Sequence, residues 1–505
     1  TNFFPTLQRN ADGWLEGEVL LPAHPGAAST LSWADREPDG DLDLLMSVSP
    51  RVGSPGGTNV FGRNEDHTGL TLITTPASQG ITTLLRTLTF ANWQDSDLDG
   101  DADAALTGQN FSPFQVAHGR GVFAPRTFFP NTFFGTDVRW ADLNGDRWID
   151  VASGTGANGV TLHRRLNLDL FEMRSETVRG TMSRDSFWHD WDGDGDVDAL
   201  LTDLAPTPDR ARLLLNDGTG TFGDDILGGT AISGSLLGAA DLDADGRLDL
   251  VTALTTNLLV WTRPDGTNFV SETLNVAGTD NPGFALADFD GDHRPDFFFT
   301  AQRGTTTNRV TAIFRNNFPG TNTPPAAPAN LAAAVGTNEV AFSWDAAVDA
   351  NQPGGLTYNV YVGTAPGRQD VLAAHSNPAT GFRRQPQPGN NGLRRTRRLV
   401  NLYPGTYWWS VQAVDSAFAG GAFAAEQSFV IPTNQTPQVE FAWPPGGEAS
   451  AVTGLAGWLT LEQSPDLRTW TAYRTNHFPA GRNAVGIGVL DGAPETFFRG
   501  RLEPR

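Results

Sequence analysis

The residues with the clearest chemical potential are six acidic strings of nine residues each. They read DREPDGDLD from Asp35, DSDLDGDAD from Asp95, DLNGDRWID from Asp142, DWDGDGDVD from Asp190, DLDADGRLD from Asp241 and DFDGDHRPD from Asp288. Oxygen-bearing side chains stand at positions 1, 3, 5 and 9 of every copy. These are Asp35, Glu37, Asp39 and Asp43; Asp95, Asp97, Asp99 and Asp103; Asp142, Asn144, Asp146 and Asp150; Asp190, Asp192, Asp194 and Asp198; Asp241, Asp243, Asp245 and Asp249; and Asp288, Asp290, Asp292 and Asp296. Alternate positions of a tight loop turn inward together, and a glycine after position 5, present in four copies, permits the sharp turn. Carboxylates gathered in this way repel one another unless a cation joins them. A flexible site of many hard oxygens suits calcium better than magnesium, which demands a strict octahedron. The expectation is therefore a set of calcium loops, up to six ions in all.

An EF-hand opens with the same string but ends on a bidentate Glu at position 12 between two helices. Here position 12 is Met46, Leu106, Ser153, Leu201, Thr252 or Phe299, and the flanks are short β-type runs such as DLLMSV and DFFFTA. The EF-hand reading fails, and a dockerin-like loop fails on the same residues. Acidic turns that merely cap hairpins in solvent are the alternative for one copy, but not for six in register. Copies three and six depart furthest from the pattern, since Arg147 and His293 replace the glycine and Asn144 replaces a carboxylate.

The elements that must position these loops follow from their spacing. First aspartates lie 60, 47, 48, 51 and 47 residues apart, the length of a four-stranded propeller blade. Between the loops run hairpin signals, an apolar strand, an Asn/Asp/Gly turn and a second strand, clearest in LLLNDGTGTF at 213–222. Tryptophan stands two residues before the loop in four copies, as Trp33, Trp93, Trp140 and Trp188, a register expected of packing between neighbouring blades rather than of a sugar platform. Trp191 and Phe289, inside their loops, are expected to be exposed. The fold class is all-β.

The run DLDADGRLDLVTA followed by hairpins of the LLLNDGTGTF type resembles the FG-GAP or VCBS repeats of integrin α-subunit propellers and of large bacterial surface proteins. The resemblance spans residues 1–320. It implies a calcium-binding propeller whose ions are held by side chains at positions 1, 3, 5 and 9 and by the backbone carbonyl at position 7, here Asp41, Asp101, Trp148, Asp196, Arg247 and Arg294. It also implies an adhesion or ligand-binding role at a cell surface. A carbohydrate-binding lectin, the propeller of a polysaccharide lyase and a structural subunit of an extracellular layer or filament are the competing readings. Integrin propellers have seven blades. Six are favoured here, with a strand near Trp14 to Leu21 completing the last sheet and joining the ends of the ring.

A proline-rich linker at 321–330 breaks the pattern. Beyond it, LYPGTYWWSVQAVD resembles the F strand of fibronectin type III domains and implies a β-sandwich over 331–433, with Tyr407 as its corner tyrosine and Trp344 in its core. Inside that region GFRRQPQPGNNGLRRTRR carries six arginines and no acid. Three uses are open to it: binding an anionic polysaccharide, docking on the acidic propeller, or lying solvated. Short alternating strands over 435–505 predict a small third β-module, a candidate for surface anchoring or assembly.

Composition removes whole classes of function. There is no cysteine, so disulfides, thiolate nucleophiles and cysteine-zinc sites are excluded. All 35 basic residues are arginine, which excludes lysine Schiff bases and P-loops. The net charge of -22 lies wholly in residues 1–323, with 44 acidic residues against 22 arginines, a field that repels nucleic acid and attracts multivalent cations. No run approaches the roughly 18 apolar residues of a membrane span. The chain opens at Thr1 with no charged-then-apolar leader, which suits a mature secreted or cell-surface chain or a trimmed piece. No catalytic motif surrounds any of the eight histidines, and His189 beside Asp190 reads as incidental, so a non-enzymatic role is expected. The partner is then an extracellular protein, a polysaccharide or another copy of the chain.

Overall fold

The computed structural model describes 183–203, 211–223, 232, 234–254, 256–264, 268–276, 280–302 and 309–432. Elsewhere it describes the strands named below, together with 35, 42, 95–96, 98–102, 142–146 and 148–149. Every regular element among the described residues is a β-strand, so no helix there is long and apolar enough to cross a membrane.

Six antiparallel meanders follow one another along the chain. Sheet one is Ala27–Ala34, Asp43–Ser49, Thr58–Asn64 and Leu70–Ile73, and sheet two is Leu88–Gln94, Asp103–Gly108, Phe114–His118 and Ala124–Phe129. Sheet three is Val138–Ala141, Asp150–Gly154, Val160–Asn167 and Leu170–Val178, and sheet four is Ser183–His189, Asp198–Asp203 and Ala211–Leu214. Sheet five is Ser235–Ala240, Asp249–Ala253, Asn257–Thr262 and Val270–Asn275, and sheet six is Asp280–Ala287, Asp296–Gln302 and Arg309–Phe314. In each, the acidic string is the hairpin between the first and second strands. The first hairpin of the chain, Thr6–Ala11 with Trp14–Leu20, forms a two-stranded sheet by itself. The pairing expected between its second strand and sheet six is not present among the described residues.

Each second strand is an aspartate followed by an unbroken apolar run. Ala199, Leu200 and Leu201, or Leu250 and Val251, are buried in succession, so both faces of these strands are covered. The cover is the next sheet. Leu143, Ala152 and Leu162 of the third repeat pack on Ala199, Leu201 and Leu214 of the fourth. Leu200 and Leu213 pack on Leu236, Leu250 and Trp261 of the fifth. Ala253 and Leu258 pack on Phe297 and Phe299 of the sixth.

Two further sheets form a unit of their own. One is Ala332–Val335, Val340–Ser343 and Thr396–Leu399; the other is Thr357–Gly363, Gly405–Val414 and Gln427–Ile431. Their core is aromatic: Phe342, Trp344, Tyr358, Tyr407, Trp409 and Phe429 are all buried, with Phe342 and Trp409 ring centres 4.1 Å apart. Trp344 is 4% exposed, in the core as expected, and the Tyr407 hydroxyl donates to the Tyr403 carbonyl at 2.9 Å. The proline-rich segment does not run free before this unit. Ala326 N donates to Val348 O at 2.9 Å, and Asn322 is buried between His293 O and the Asp415 carboxylate.

Beyond 432, Val439–Ala442, Ser450–Thr453 and Gly481–Ala484 make one three-stranded sheet. Gly457–Ser464 lies between Thr471–Phe478 and Phe497–Pro504 in another.

Candidate metal centre

All six acidic hairpins share one register. The residue before position 1 pairs with position 9 as Ala34 with Asp43, Gln94 with Asp103, Ala141 with Asp150, His189 with Asp198, Ala240 with Asp249 and Ala287 with Asp296. The position-9 aspartate is thus the first residue of the second strand, and its carboxylate closes the hairpin. It accepts the position-2 N–H in five copies, from Ser96, Leu143, Trp191, Leu242 and Phe289 at 2.7–3.0 Å. Its other oxygen accepts from a residue near the end of the third strand, as Asp150 does from Arg165 N, Asp198 from Asn216 N and Asp296 from Asn316 N.

Position 1 organises the turn. Asp190 accepts the N–H groups of Gly193, Asp194 and Gly195, Asp288 those of Gly291, Asp292 and His293, and Asp95 and Asp241 those of positions 5 and 6. Position 5 then accepts the N–H of position 7 in Asp99, Asp146, Asp194, Asp245 and Asp292. In loops two, four, five and six the backbone is left-handed twice in doing this, at position 4 as well as position 6, and in loop three it is left-handed at position 4. Leu98, Gly145, Gly193, Ala244 and Gly291 have φ between 58° and 83° at position 4. Gly100, Gly195, Gly246 and His293 have φ between 65° and 101° at position 6. Copies three and six, which lack the position-6 glycine, carry Gly145 and Gly291 at position 4 instead. His293 adopts the turn at φ 65°, so the departure that singled out copy six does not break its loop.

With the turn made, carboxylate oxygens converge. One oxygen from each of Asp190, Asp192 and Asp194 lies within 4.8 Å of the others, as in Asp241, Asp243 and Asp249 and in Asp288, Asp290 and Asp296. Burial raises several aspartates of the loops. Asp190 is pushed up to about 6, Asp198, Asp241 and Asp150 to about 7, and Asp249 to about 9, with neighbouring carboxylates adding to the rise. Asp192, Asp196, Asp243 and Asp296 move in the same direction, chiefly by burial. A divalent cation would reverse this by favouring the charged forms. The donor set of loop four, all carboxylates and with no arginine paired to it among the described residues, fits such an ion.

Other loops hold arginine. In loops five and six the position-7 side chains fold back, Arg247 onto Asp245 and Arg294 onto Asp292, and Arg315 reaches Asp290. In loops two and three the arginine comes from the two-sheet unit, Arg397 on Asp95 and Arg394 on Asp142. In loop one, Asp35 N donates to His375 Nε2, and Asp43 is fully buried. Glu37, Asp39 and Asp41 of that loop, and Asp97 of loop two, lie outside the described residues. Asp101 and Asp103 are buried within loop two.

Residues 190–252 match the FG-GAP-like repeat model. The match covers loops four and five, the strands between them and the opening of sheet five's second strand. Among solved structures, the chain is similar to an Agrocybe aegerita lectin that recognises non-reducing terminal N-acetylglucosamine (17% identity, 62% of this chain and 88% of that one, TM-score 0.44). It is also similar to the extracellular domain of a hybrid two-component system from B. thetaiotaomicron (10% identity, 85% and 56%, TM-score 0.35) and to a Photorhabdus luminescens Tc holotoxin pore (13% identity, 90% and 20%, TM-score 0.38). No curated protein matches it.

Two sequence expectations are corrected around the FG-GAP-like repeat. Trp191 is not exposed: it is 4% accessible, with the Arg263 guanidinium 5.4 Å above its ring, because position 2 faces the next sheet. Phe289 is half-buried. Of the three uses left open for the arginine-rich segment, the contacts match docking on the acidic repeats, since Arg394, Arg397 and Gln385 all bond to the loop face. His189 is buried with its ring nitrogen on Asp190 O, consistent with a packing residue.

Sequence reasoning missed the clamps between sheets. Asn216 Nδ2 donates to Leu143 O, Arg263 Nη2 to Trp191 O and Asn316 Nδ2 to Leu242 O. Each ties the end of one third strand to the position-2 carbonyl of the loop before it. The signal was a polar residue shortly after every third strand, but its type changes and its spacing varies, so it resembled ordinary turn chemistry.

Proposed function

We propose that the chain is a secreted or cell-surface ligand-binding protein whose first 320 residues close into a six-bladed propeller, with calcium in its acidic loops and a fibronectin III-like sandwich capping one face. The observation that carries this reading is a single cavity of about 1010 Å³. The first strand of every one of the six sheets contributes to its wall, for example through Trp33, Trp93, Trp140, Trp188, Ala239 and Phe284. Six consecutive strands can share one cavity in this way if the sheets are arranged about a common axis. The other wall is the two-sheet unit, which reaches loops one to five through His375 at loop one, Arg397 at two, Arg394 at three, Gly355 at four and Ser416 at five, while at loop six Asn322 of the proline-rich segment bridges His293 O and the Asp415 carboxylate.

The role is binding rather than catalysis, and the ligand is an extracellular protein or a polysaccharide. Trp93 is buried with its Nε1 donating to Ser32 O, as packing between sheets requires. The half-buried indoles of Trp33, Trp140 and Trp188 also line the cavity and favour the polysaccharide, since a sugar's C–H face packs on an aromatic ring while arginine and asparagine side chains of the cap supply hydrogen bonds. The test is an array of polysaccharides and matrix proteins probed with the whole chain in calcium and in chelator. Calcium-dependent capture of a polysaccharide that quenches tryptophan fluorescence is expected. Capture of a matrix protein alone would move the reading to protein adhesion, and cleavage of an arrayed glycan would overturn the non-enzymatic role.

A further inference from the structure

Loops two and three differ from loop four in who supplies their positive charge. Arg394 reaches across from the strand-flanking segment of the two-sheet unit. Its Nη2 pairs with the Asp142 carboxylate and also donates to Trp148 O at 3.0 Å. Those acceptors are the position-1 side chain and the position-7 carbonyl, the two ends of the loop that a bound cation would join. One planar guanidinium with several fixed donors can do the same work. The charge of this loop also suits a monovalent group, because Asn144 replaces a carboxylate at position 3 and itself donates to Asp146.

Loop two repeats the arrangement. Arg397 pairs with Asp95, and both side chains are withdrawn from water, at 4% and 7% exposure. Val400 N donates to Leu98 O at 2.9 Å beside it, and a Cβ on Gly100 would overlap the Val371 carbonyl. Backbone of the two-sheet unit is therefore seated on the turn itself. A buried ion pair of this kind is strongly destabilised when one partner is removed, so a calcium ion entering the loop would have to displace a guanidinium that has no water to go to.

We infer that Arg397 and Arg394 are the resident cations of loops two and three, and that calcium is confined to the remaining four loops at most. The inference rests on the calcium reading of the loops and narrows it. It also assigns the arginine-rich segment a purpose: it is an internal substitute for metal, fixing the two-sheet unit over the cavity whether or not calcium is present.

The test is the number of calcium ions bound by the whole chain, counted by native mass spectrometry with calcium alone as the probe. No more than four are expected. Asp192→Asn in loop four should remove one ion, whereas Asp142→Asn and Asp95→Asn should remove none. Arg394→Gln and Arg397→Gln should each lower the melting temperature in chelator, add one ion, and recover more of that loss in calcium than the unsubstituted chain gains. Five or six ions on the unsubstituted chain, or loss of an ion on Asp142→Asn, would overturn the arginine assignment while leaving calcium binding intact. No ion on any form would remove the calcium reading and this inference together.

Discussion

The six meanders and the two-sheet unit that covers them solve the same problem, holding β-sheets face to face, by different chemistry. Residues 332–431 do it with a closed aromatic core in which Phe342, Trp344, Trp409 and Phe429 touch one another. Their surface charge is balanced, in keeping with the 13 acidic residues and 13 arginines of 324–505. The meanders pack smaller clusters between successive sheets and add a polar layer at one end, where buried aspartates hold the turns and Asn216, Arg263 and Asn316 hold one sheet to the next. The first strategy is indifferent to ions and pH. The second concentrates negative charge and depends on what neutralises it.

The sharpest way to break this contrast is to empty the aromatic core. Trp409→Ala should destabilise the two-sheet unit by about 3–5 kcal/mol, the usual loss for a fully buried aromatic. The loss in urea denaturation should be the same in calcium and in chelator. A loss that calcium repairs would mean that the two regions do not differ as described.

Next in size is the response to pH in the absence of calcium. Burial holds Asp249 up at about 9 and Asp198 and Asp241 at about 7 in the folded chain, well above an unfolded aspartate at 3.8. Folded protein therefore keeps more protons than unfolded across that window. Their contribution is complete below about pH 4 and is lost as pH rises through 7 and then 9. Calcium-free melting temperature should fall between pH 5 and pH 9, and excess calcium should flatten or reverse the slope. A calcium-free melting temperature that rises over this interval would show that the loops are not proton-loaded.

A smaller effect is expected at the clamps. Asn216→Ala leaves Leu143 O and Val197 O without their side-chain donor and should cost about 1–3 kcal/mol. Hydrogen exchange should rise in loop three as well as at the substituted turn. Smallest of all, His293→Gly removes a left-handed non-glycine residue and should stabilise loop six by at most about 1 kcal/mol, read as a slight increase in melting temperature.

Much of this contrast was legible in the residues. The six strings, their spacing and the alternation of loop and hairpin predicted one acidic loop for each sheet, flanked by short β-strands. The spacing of like chemistry along the chain is a local property, and it survives without knowledge of the tertiary structure. The burial of Trp344 was expected only through the resemblance of LYPGTYWWSVQAVD to a known strand, since the rings that cover it, Tyr358 and Trp409, stand 14 and 65 residues further on. What was not legible is contact over long separations. Nothing near Asp95 announces Arg397, and nothing in the loop DWDGDGDVD says that Trp191 turns into the following sheet. The need for a left-handed residue at position 4 was hidden because leucine, alanine and glycine all occupy it.

That last feature bears on how such repeats are recognised at all. In loops two, four, five and six the hairpin has two left-handed sites, and it works with glycine at either one, at both, or, in the case of position 4, with leucine or alanine. Glycine can therefore shift by two places between copies while the carboxylates stay where they are. A pattern defined by which letter stands at which position loses strength with every such shift, although the backbone it encodes is unchanged. This is consistent with a family match confined to 190–252, the stretch in which loop four carries glycine at both sites and loop five carries it at position 6, while the same register recurs in all six hairpins. For repeats of this kind, the spacing of aspartates is a more durable signature than the glycines between them.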